Sequence, residues 1–298
     1  MTPADVATLV CPACRGDVAF DGGRRGDALD GALHCAGCGR DWPVHDGLPA
    51  LLDEREIGGL EGFMRVLYDH LAPLHDPLSH WLMPLLQFTS EGAARDGYMR
   101  RLALAALRPR DDGQPVRILE VGVGTGANLP LVERDLPPAL DVELWGLDFS
   151  RGMLAQCRAR LARHTGRPLR LLLADAHALP FRDATFDRVF HVGGIAAYRD
   201  PRVGLAEMAR VARPGTPIVV VDEQLDPGRR HGLYHRLAFR ALTFYDRAPA
   251  SPTALLPPDA TDVIDEQVTR FYYCLTFRAG GDAALTGRTR LEAPAGYP

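Results

Sequence analysis

The 298-residue chain has no lysine; its 34 strongly basic residues are all arginine. A lysine general base and a lysine Schiff base are thereby excluded. The accompanying richness in Ala, Gly and Pro traces the bias to a GC-rich genome rather than to function. Long apolar runs are also missing: none approaches the ~20 residues of a membrane-spanning helix. The N-terminus lacks the basic-then-apolar order of a secretory leader, so a cytoplasmic protein is expected. A net charge of −4 gives no global attraction to a polyanion.

Cysteine is scarce but concentrated. Four of the six fall in Cys11-Pro-Ala-Cys14 and Cys35-Ala-Gly-Cys38, separated by 20 residues. This is the C-x2-C, spacer, C-x2-C pattern of a zinc ribbon. Each pair makes a tight turn that aims two thiolates at one point. Four thiolates form a closed tetrahedral site, so the expected zinc is structural. Two disulfides are the alternative, which a reducing compartment disfavours. Cys157 and Cys274 lie in apolar patterns and read as core.

Composition separates further regions. Residues 1–53 form the cysteine module. Residues 54–112 read as a helical lid or linker: Ile57–Tyr68, a break at Pro73 and Pro77, Trp81–Phe88, then Ala93–Leu107. Residues 113–278 alternate strands and helices, and residues 279–298 read as a flexible tail. Buried-strand patterns occur at Val116–Val121, Val142–Leu147, Leu169–Leu173, Phe186–His191 and Pro217–Val221. Ser150 and Asp200-Pro201 mark helix starts between them. Such alternation builds a parallel sheet with helices on both faces. Asp262–Thr269 and Phe271–Phe277 are too close for a crossover and read as a closing antiparallel pair.

The first strand runs into Glu120-Val-Gly-Val-Gly-Thr-Gly126 and a helix. Glycines there allow a tight turn and close backbone approach to a ligand. Gly122, Gly124 and Ala127 also fit a dinucleotide fingerprint, so the motif alone is ambiguous. The carboxylates resolve it. Asp148 ends the second strand, where it can accept ribose hydroxyls. Asp175 ends the third, where it can accept from an adenine amino group. Glu120 beside the turn would repel a pyrophosphate but attract an ammonium and a sulfonium.

On the segments ILEVGVGTGANL, LWGLDFSRGML, LLLADAHALPFRDATFDRVF and YRDPRVGLAEMARVARPG, the region 116–223 resembles the class I S-adenosylmethionine-dependent methyltransferases, especially their quinone and small-molecule branch. The resemblance implies an α/β, Rossmann-like, seven-stranded, mostly parallel sheet with an antiparallel final strand. It places Glu120, Gly122, Gly124, Gly126, Asp148, Met153, Asp175, Ala176 and His191 around the cofactor. Gly126 and Met153 have packing roles as alternatives. The segment LVCPACRGDVAF…LHCAGCGRDWPVHDGLPALL resembles the zinc-ribbon activating partner of tRNA and protein methyltransferases. The order of ribbon and catalytic domain is similar to that of rRNA guanine-N1 methyltransferases.

Methyl transfer needs in-line alignment and exclusion of water, and no protein nucleophile. His191, Tyr68 and Asp222 are the candidate catalytic residues. His191 is a base, a cofactor contact or a hydrogen-bonded support. Tyr68, in Tyr68-Asp69-His70, matches the lid of the quinone-methyltransferase relatives. Asp222 and its neighbour Glu223 end the fifth strand facing the same crevice, where either contacts substrate or only caps the next segment. The stretch His191–Tyr198 departs from the Asn/Asp-Pro-Pro-Tyr/Phe loop of enzymes that methylate adenine or glutamine nitrogens. The aromatic insertion 225–260 reads as a substrate cover. The expected activity is methylation of a small, aromatic or apolar molecule at carbon, oxygen or nitrogen. The alternative is an rRNA or tRNA base methyltransferase using the ribbon to hold RNA.

Overall fold

The computed structural model describes residues 1–26, 28–87, 91–164 and 166–280, with side chains outside 78–94. After a helical turn α1 (Pro3–Val6) come β1 (Val18–Arg25), β2 (Ala28–Cys35), β3 (Asp41–His45) and β4 (Leu48–Leu51). Two helices follow, α2 (Gly59–Gln87) and α3 (Glu91–Met99). The alternating region contains β5 (Val116–Val121), α4 (Leu129–Asp135), β6 (Val142–Asp148), α5 (Arg151–Leu161) and β7 (Leu169–Ala174). It continues with β8 (Arg188–Val192), α6 (Pro201–Val211), β9 (Pro217–Glu223), α7 (Leu233–Leu242), β10 (Thr261–Gln267) and β11 (Tyr272–Arg278).

Strands β7, β6, β5, β8 and β9 are neighbours in that order and parallel, as the alternating pattern requires. β11 joins antiparallel beside β9, and β10 closes the edge. Side chains alternate between two packed faces. Leu119, Trp145, Val220 and Leu275 enter one core, while Ile118, Leu144, Val219 and Cys274 enter the other. The helix-start signals act as read: Ser150 Oγ accepts from Met153 N at 3.1 Å, and Asp200 Oδ1 from Arg202 N at 3.0 Å. Among the described residues, no helix is long and apolar enough to cross a membrane.

Three features differ from the sequence expectations. Strand β4 pairs in parallel with β7 through Ala50–Leu173 and Leu51–Ala174, so one sheet of eleven strands runs from the cysteine module to β10. The prolines at 73 and 77 do not break α2. Pro73 cannot donate to the Asp69 carbonyl, but α2 packs there on α5, and Asp69 Oδ1 accepts from Ser150 Oγ at 2.6 Å and Gly152 N at 2.8 Å. A Cβ on Gly152 would lie 2.5 Å from the Asp69 carbonyl oxygen, so glycine permits the contact. Tertiary bonds thus hold a helix that local propensity would interrupt. The helix expected over Ala93–Leu107 stops at Met99. Ala103 takes a left-handed φ of 48°, and Arg188 Nε claims the Leu102 carbonyl. Phe88 and most of the expected tail lie outside the described residues.

Candidate active site

At the carboxyl ends of β5, β6, β7, β8 and β9 lies a cavity of about 290 Å³, walled on one side by α2. Open α/β sheets bind ligands at this edge. Tyr68, Glu120, Gly122, Gly124, Asp148, Met153, Asp175, Ala176 and His191 all line it. Gly126 and Asp222 are not among the lining residues.

The turn after β5 is shaped by positive φ at Gly122 and Gly124 (70° and 54°). A Cβ on Gly122 would come within 3.2 Å of His191 Nδ1. Gly126 instead meets Cys157 Sγ, 2.8 Å from where its Cβ would be, so it serves helix packing. Asp148 braces the turn: Oδ2 accepts from Gly124 N at 2.9 Å and Oδ1 from Ser150 N at 2.8 Å. Burial nevertheless raises its pKa to about 6. Each oxygen retains a lone pair to offer a ligand.

Glu120 is buried and accepts from Asn128 Nδ2 at 2.6 Å; Tyr98 OH donates to Asn128 Oδ1 at 3.1 Å. Burial pushes its pKa up to about 8 against the opposing effects of Asn128 and Arg95. A cationic ligand would restore its charge. Asp175 is the opposite case. Burial raises its pKa, but bonds from His177 and Arg199 outweigh that and hold it at about 2. Its Oδ1 accepts from His177 N and Nδ1, both at 2.8 Å, and its Oδ2 from Arg199 Nη2 at 2.6 Å. Arg199 also bonds Glu61 Oε2 of α2 at 2.8 Å.

His191 sits at the end of β8, 1% exposed. Its Nδ1 lies 2.8 Å from the Val121 carbonyl, which can only accept. Nδ1 therefore carries the proton of the neutral ring. Nε2 is left as a buried lone pair without a partner among the described residues. Burial lowers the pKa, which keeps the ring neutral. The Tyr198 ring packs edge-on against it, centroids 5.4 Å apart.

Asp222 does not turn toward this cavity. Its carboxylate accepts from Gly194 N at 3.1 Å and Ala196 N at 2.9 Å, fixing the loop that follows β8. Its neighbour Glu223 does line the cavity and accepts from Tyr245 OH at 2.8 Å. Burial first, then the Asp222 charge, raises the Glu223 pKa well above the usual range. Burial similarly keeps the Tyr68 hydroxyl protonated. Helix α2 is clasped over the site at positions seven apart on one face: Asp69 on α5, and Asp76, which accepts from Thr125 Oγ1 at 2.7 Å and pairs with Arg160.

The sequence reading missed Arg199, Glu61, Asn128 and Tyr98. Each acts through a partner 8 to 138 residues away, and only Asn128, two residues after Gly126, lies close to a motif that the sequence marks.

Residues 118–215 match the methyltransferase domain family, and residues 7–47 match the Trm112p-like protein family. The demethylmenaquinone methyltransferase of Thermus thermophilus is 36% identical over 179 residues, 60% of this chain and 74% of that protein. The chain belongs to the S-adenosylmethionine-dependent methyltransferases. The ubiquinone/menaquinone biosynthesis C-methyltransferase of Geobacter sulfurreducens is 35% identical over 53% of this methyltransferase and 57% of its own length. The phosphatidylethanolamine N-methyltransferase of Cereibacter sphaeroides is 39% identical over 36% and 50%. The methyltransferase thus spans about half the length of these two relatives. In fold it is similar to a candidate S-adenosyl-L-methionine-dependent methyltransferase from Methanococcus maripaludis. The TM-score is 0.51 at 13% identity, over 71% of this chain and 93% of that one.

In the ribbon of the methyltransferase, the Sγ atoms of Cys11, Cys14, Cys35 and Cys38 lie within 4.8 Å of one another. Cys11 and Cys38 are 3.7 Å apart, and Cys14 and Cys35 3.4 Å. A disulfide needs about 2.05 Å. Ligands ~2.3 Å from a tetrahedral zinc are about 3.8 Å apart. The cluster is compatible with zinc.

Proposed function

We propose that this methyltransferase moves the methyl group of S-adenosylmethionine to a small, aromatic or apolar acceptor at carbon, oxygen or nitrogen. The observation that carries the reading is the cavity's division of labour. Glu120, Asp148 and Asp175 gather at the ends of β5, β6 and β7, and a fourth carboxylate, Glu61 of α2, is tied up by Arg199. The cavity's other wall is Met64 and Tyr68 of α2, with Val192, Val268 and Tyr272, and one carboxyl, Glu223, whose burial favours its neutral form. On this reading Asp148 holds the ribose hydroxyls, Asp175 the adenine edge and Glu120 the ammonium group, with Gly122, Gly124, Met153 and Ala176 shaping the pocket. When bound, the cofactor supplies an electrophilic methyl group. His191 Nε2 accepts the acceptor's proton, and Tyr68 closes the site to water. Relatives named for demethylmenaquinone and phosphatidylethanolamine support a small acceptor over a nucleic acid. We assign residues 1–53 to the ribbon, 54–112 to the lid and 113–278 to the catalytic domain, with 225–260 as a substrate cover. Four thiolates hold a structural zinc in the ribbon.

An RNA acceptor would call for a basic, open approach. Arg199, on the cavity wall, is instead ion-paired to Asp175 and Glu61, and Arg15 of the ribbon to Glu207. The test is a transfer assay with methyl-labelled cofactor against demethylated quinols, simple phenols and ribosomal RNA. Label in the organic phase and none in RNA is expected; label in RNA alone overturns the reading.

Two further outcomes follow from the site's titratable groups. His191→Gln is expected to lower kcat about 100-fold, in the range of a lost general base, with cofactor affinity kept within a few-fold. An unchanged kcat removes His191 from the chemistry. Cofactor affinity is expected to rise with pH between about 5.5 and 7.5, by up to about tenfold per unit for each proton released and so most steeply at the acid end. Binding a cation favours the ionised forms of Asp148 and Glu120, whose pKa values of about 6 and about 8 lie above the ordinary carboxylate range. Protons are therefore released on binding. Glu120→Gln should flatten the upper part of the profile. In the unliganded chain the sign is reversed: the native state keeps a Glu120 proton that the unfolded state loses, so its contribution to stability falls from about pH 4.5 to about 8. Calorimetric titrations across pH check both.

A further inference from the structure

Helix α2 carries two apolar faces. Met64 and Tyr68 turn into the cavity. Beside them Leu60, Phe63, Leu67, Leu71 and Leu74 recur at steps of three and four, which forms one stripe. Phe63 and Leu74 are each 55% exposed. Helix α7 extends this surface with Leu233 and Leu237, 74% and 60% exposed. Just beyond it, Phe244 packs edge-to-face on Phe63 with centroids 6.4 Å apart. Single exposed leucines are ordinary; a stripe shared by two touching helices marks an interaction surface.

Charge says what covers it. Residues 229–247 hold five arginines against one carboxylate, in a chain of net charge −4, and one of the five, Arg229, is ion-paired with Asp226. Arg236 and Arg240 stand one helical step beside Leu233 and Leu237. Both are exposed, and among the described residues Arg240 bonds only the backbone carbonyl of Asp246 through Nη1. An apolar stripe flanked by arginine is the pattern of a helix lying in a membrane interface. A symmetric contact with a second copy would instead bring the arginines of two α7 helices together.

We propose that α2 and α7 seat this face on an anionic lipid bilayer, and that the acceptor enters the cavity from the bilayer along α2. The second clause rests on the apolar-acceptor reading above; the first does not. Co-sedimentation of the full chain with vesicles tests it, comparing pure phosphatidylcholine with phosphatidylglycerol–phosphatidylcholine mixtures. Partition into the mixed vesicles is expected to exceed partition into the pure ones and to fall with salt. Arg236→Ala and Arg240→Ala should each reduce it about fivefold. Phe63→Ser and Leu237→Ser should each reduce it about tenfold. All four should leave the melting temperature and the calorimetric affinity for S-adenosylmethionine unchanged. A wild-type chain that stays in the supernatant at low salt overturns the proposal, as does undiminished partition of the double serine variant. A dimer in sedimentation velocity that the serine variant splits, without vesicle binding, assigns the face to a second copy and overturns it too. Failure of the methyl-transfer reading would appear separately, in the label assay and the calorimetry.

Discussion

Asp148→Ala is expected to weaken S-adenosylmethionine binding by about 100-fold or more, to the limit of calorimetric detection. Two hydrogen bonds from ribose hydroxyls to a carboxylate contribute about 1.5–3 kcal/mol each, and each 1.4 kcal/mol is a factor of ten. The same substitution frees the donors Gly124 N and Ser150 N, which set the glycine turn. Stability should change little. Burial has raised the Asp148 pKa to about 6, so its charge at neutral pH costs folding energy. Relief of that cost offsets the two lost backbone bonds. A variant that binds the cofactor normally would remove Asp148 from the site; one that simply fails to fold would place it in the scaffold.

The second large effect concerns the ribbon. Cys35→Ser is expected to release zinc and to lower stability by on the order of 4 kcal/mol or more, the scale of a lost structural metal. For a chain of this size that is a fall in Tm of about 10 °C or more. The loss should reach the catalytic domain because the ribbon is not a separate body. Cys11, Cys35, Leu33 and Trp42 pack in one cluster with Leu172, Ala174 and Phe181, and Val10 N donates to the Pro180 carbonyl at 3.1 Å. Below both melting temperatures the variant should bind S-adenosylmethionine with wild-type affinity. Differential scanning calorimetry with metal analysis decides it. Zinc lost with an unchanged Tm would contradict the structural role.

What could be read in the sequence was local. Five strands are mostly apolar because both faces of a parallel sheet are buried. Ser150 and Asp200 cap helices by bonds within two or three residues. Glu120, Asp148 and Asp175 stand out because each lies within one residue of a strand's carboxyl end. What could not be read depends on distant partners. Leu48–Leu51 has no local mark that it will pair with β7. Pro73 reads as a breaker because the bonds that hold α2, from Asp69 to α5, span more than 80 residues. Asp222 and Glu223 are adjacent acids with different fates, set by strand alternation and by the loop at Gly194. Arg199 gives no sign that it bridges Asp175 to Glu61 of α2.

The most direct test of the whole account is a crystal structure with S-adenosylhomocysteine bound. The account predicts the adenosine between Asp148 and Asp175, the amino group at Glu120, and the sulfur facing the wall formed by Tyr68, His191 and Tyr272. A sulfur directed instead at open solvent across an arginine-lined surface, or an adenosine lodged away from Asp148, would contradict it.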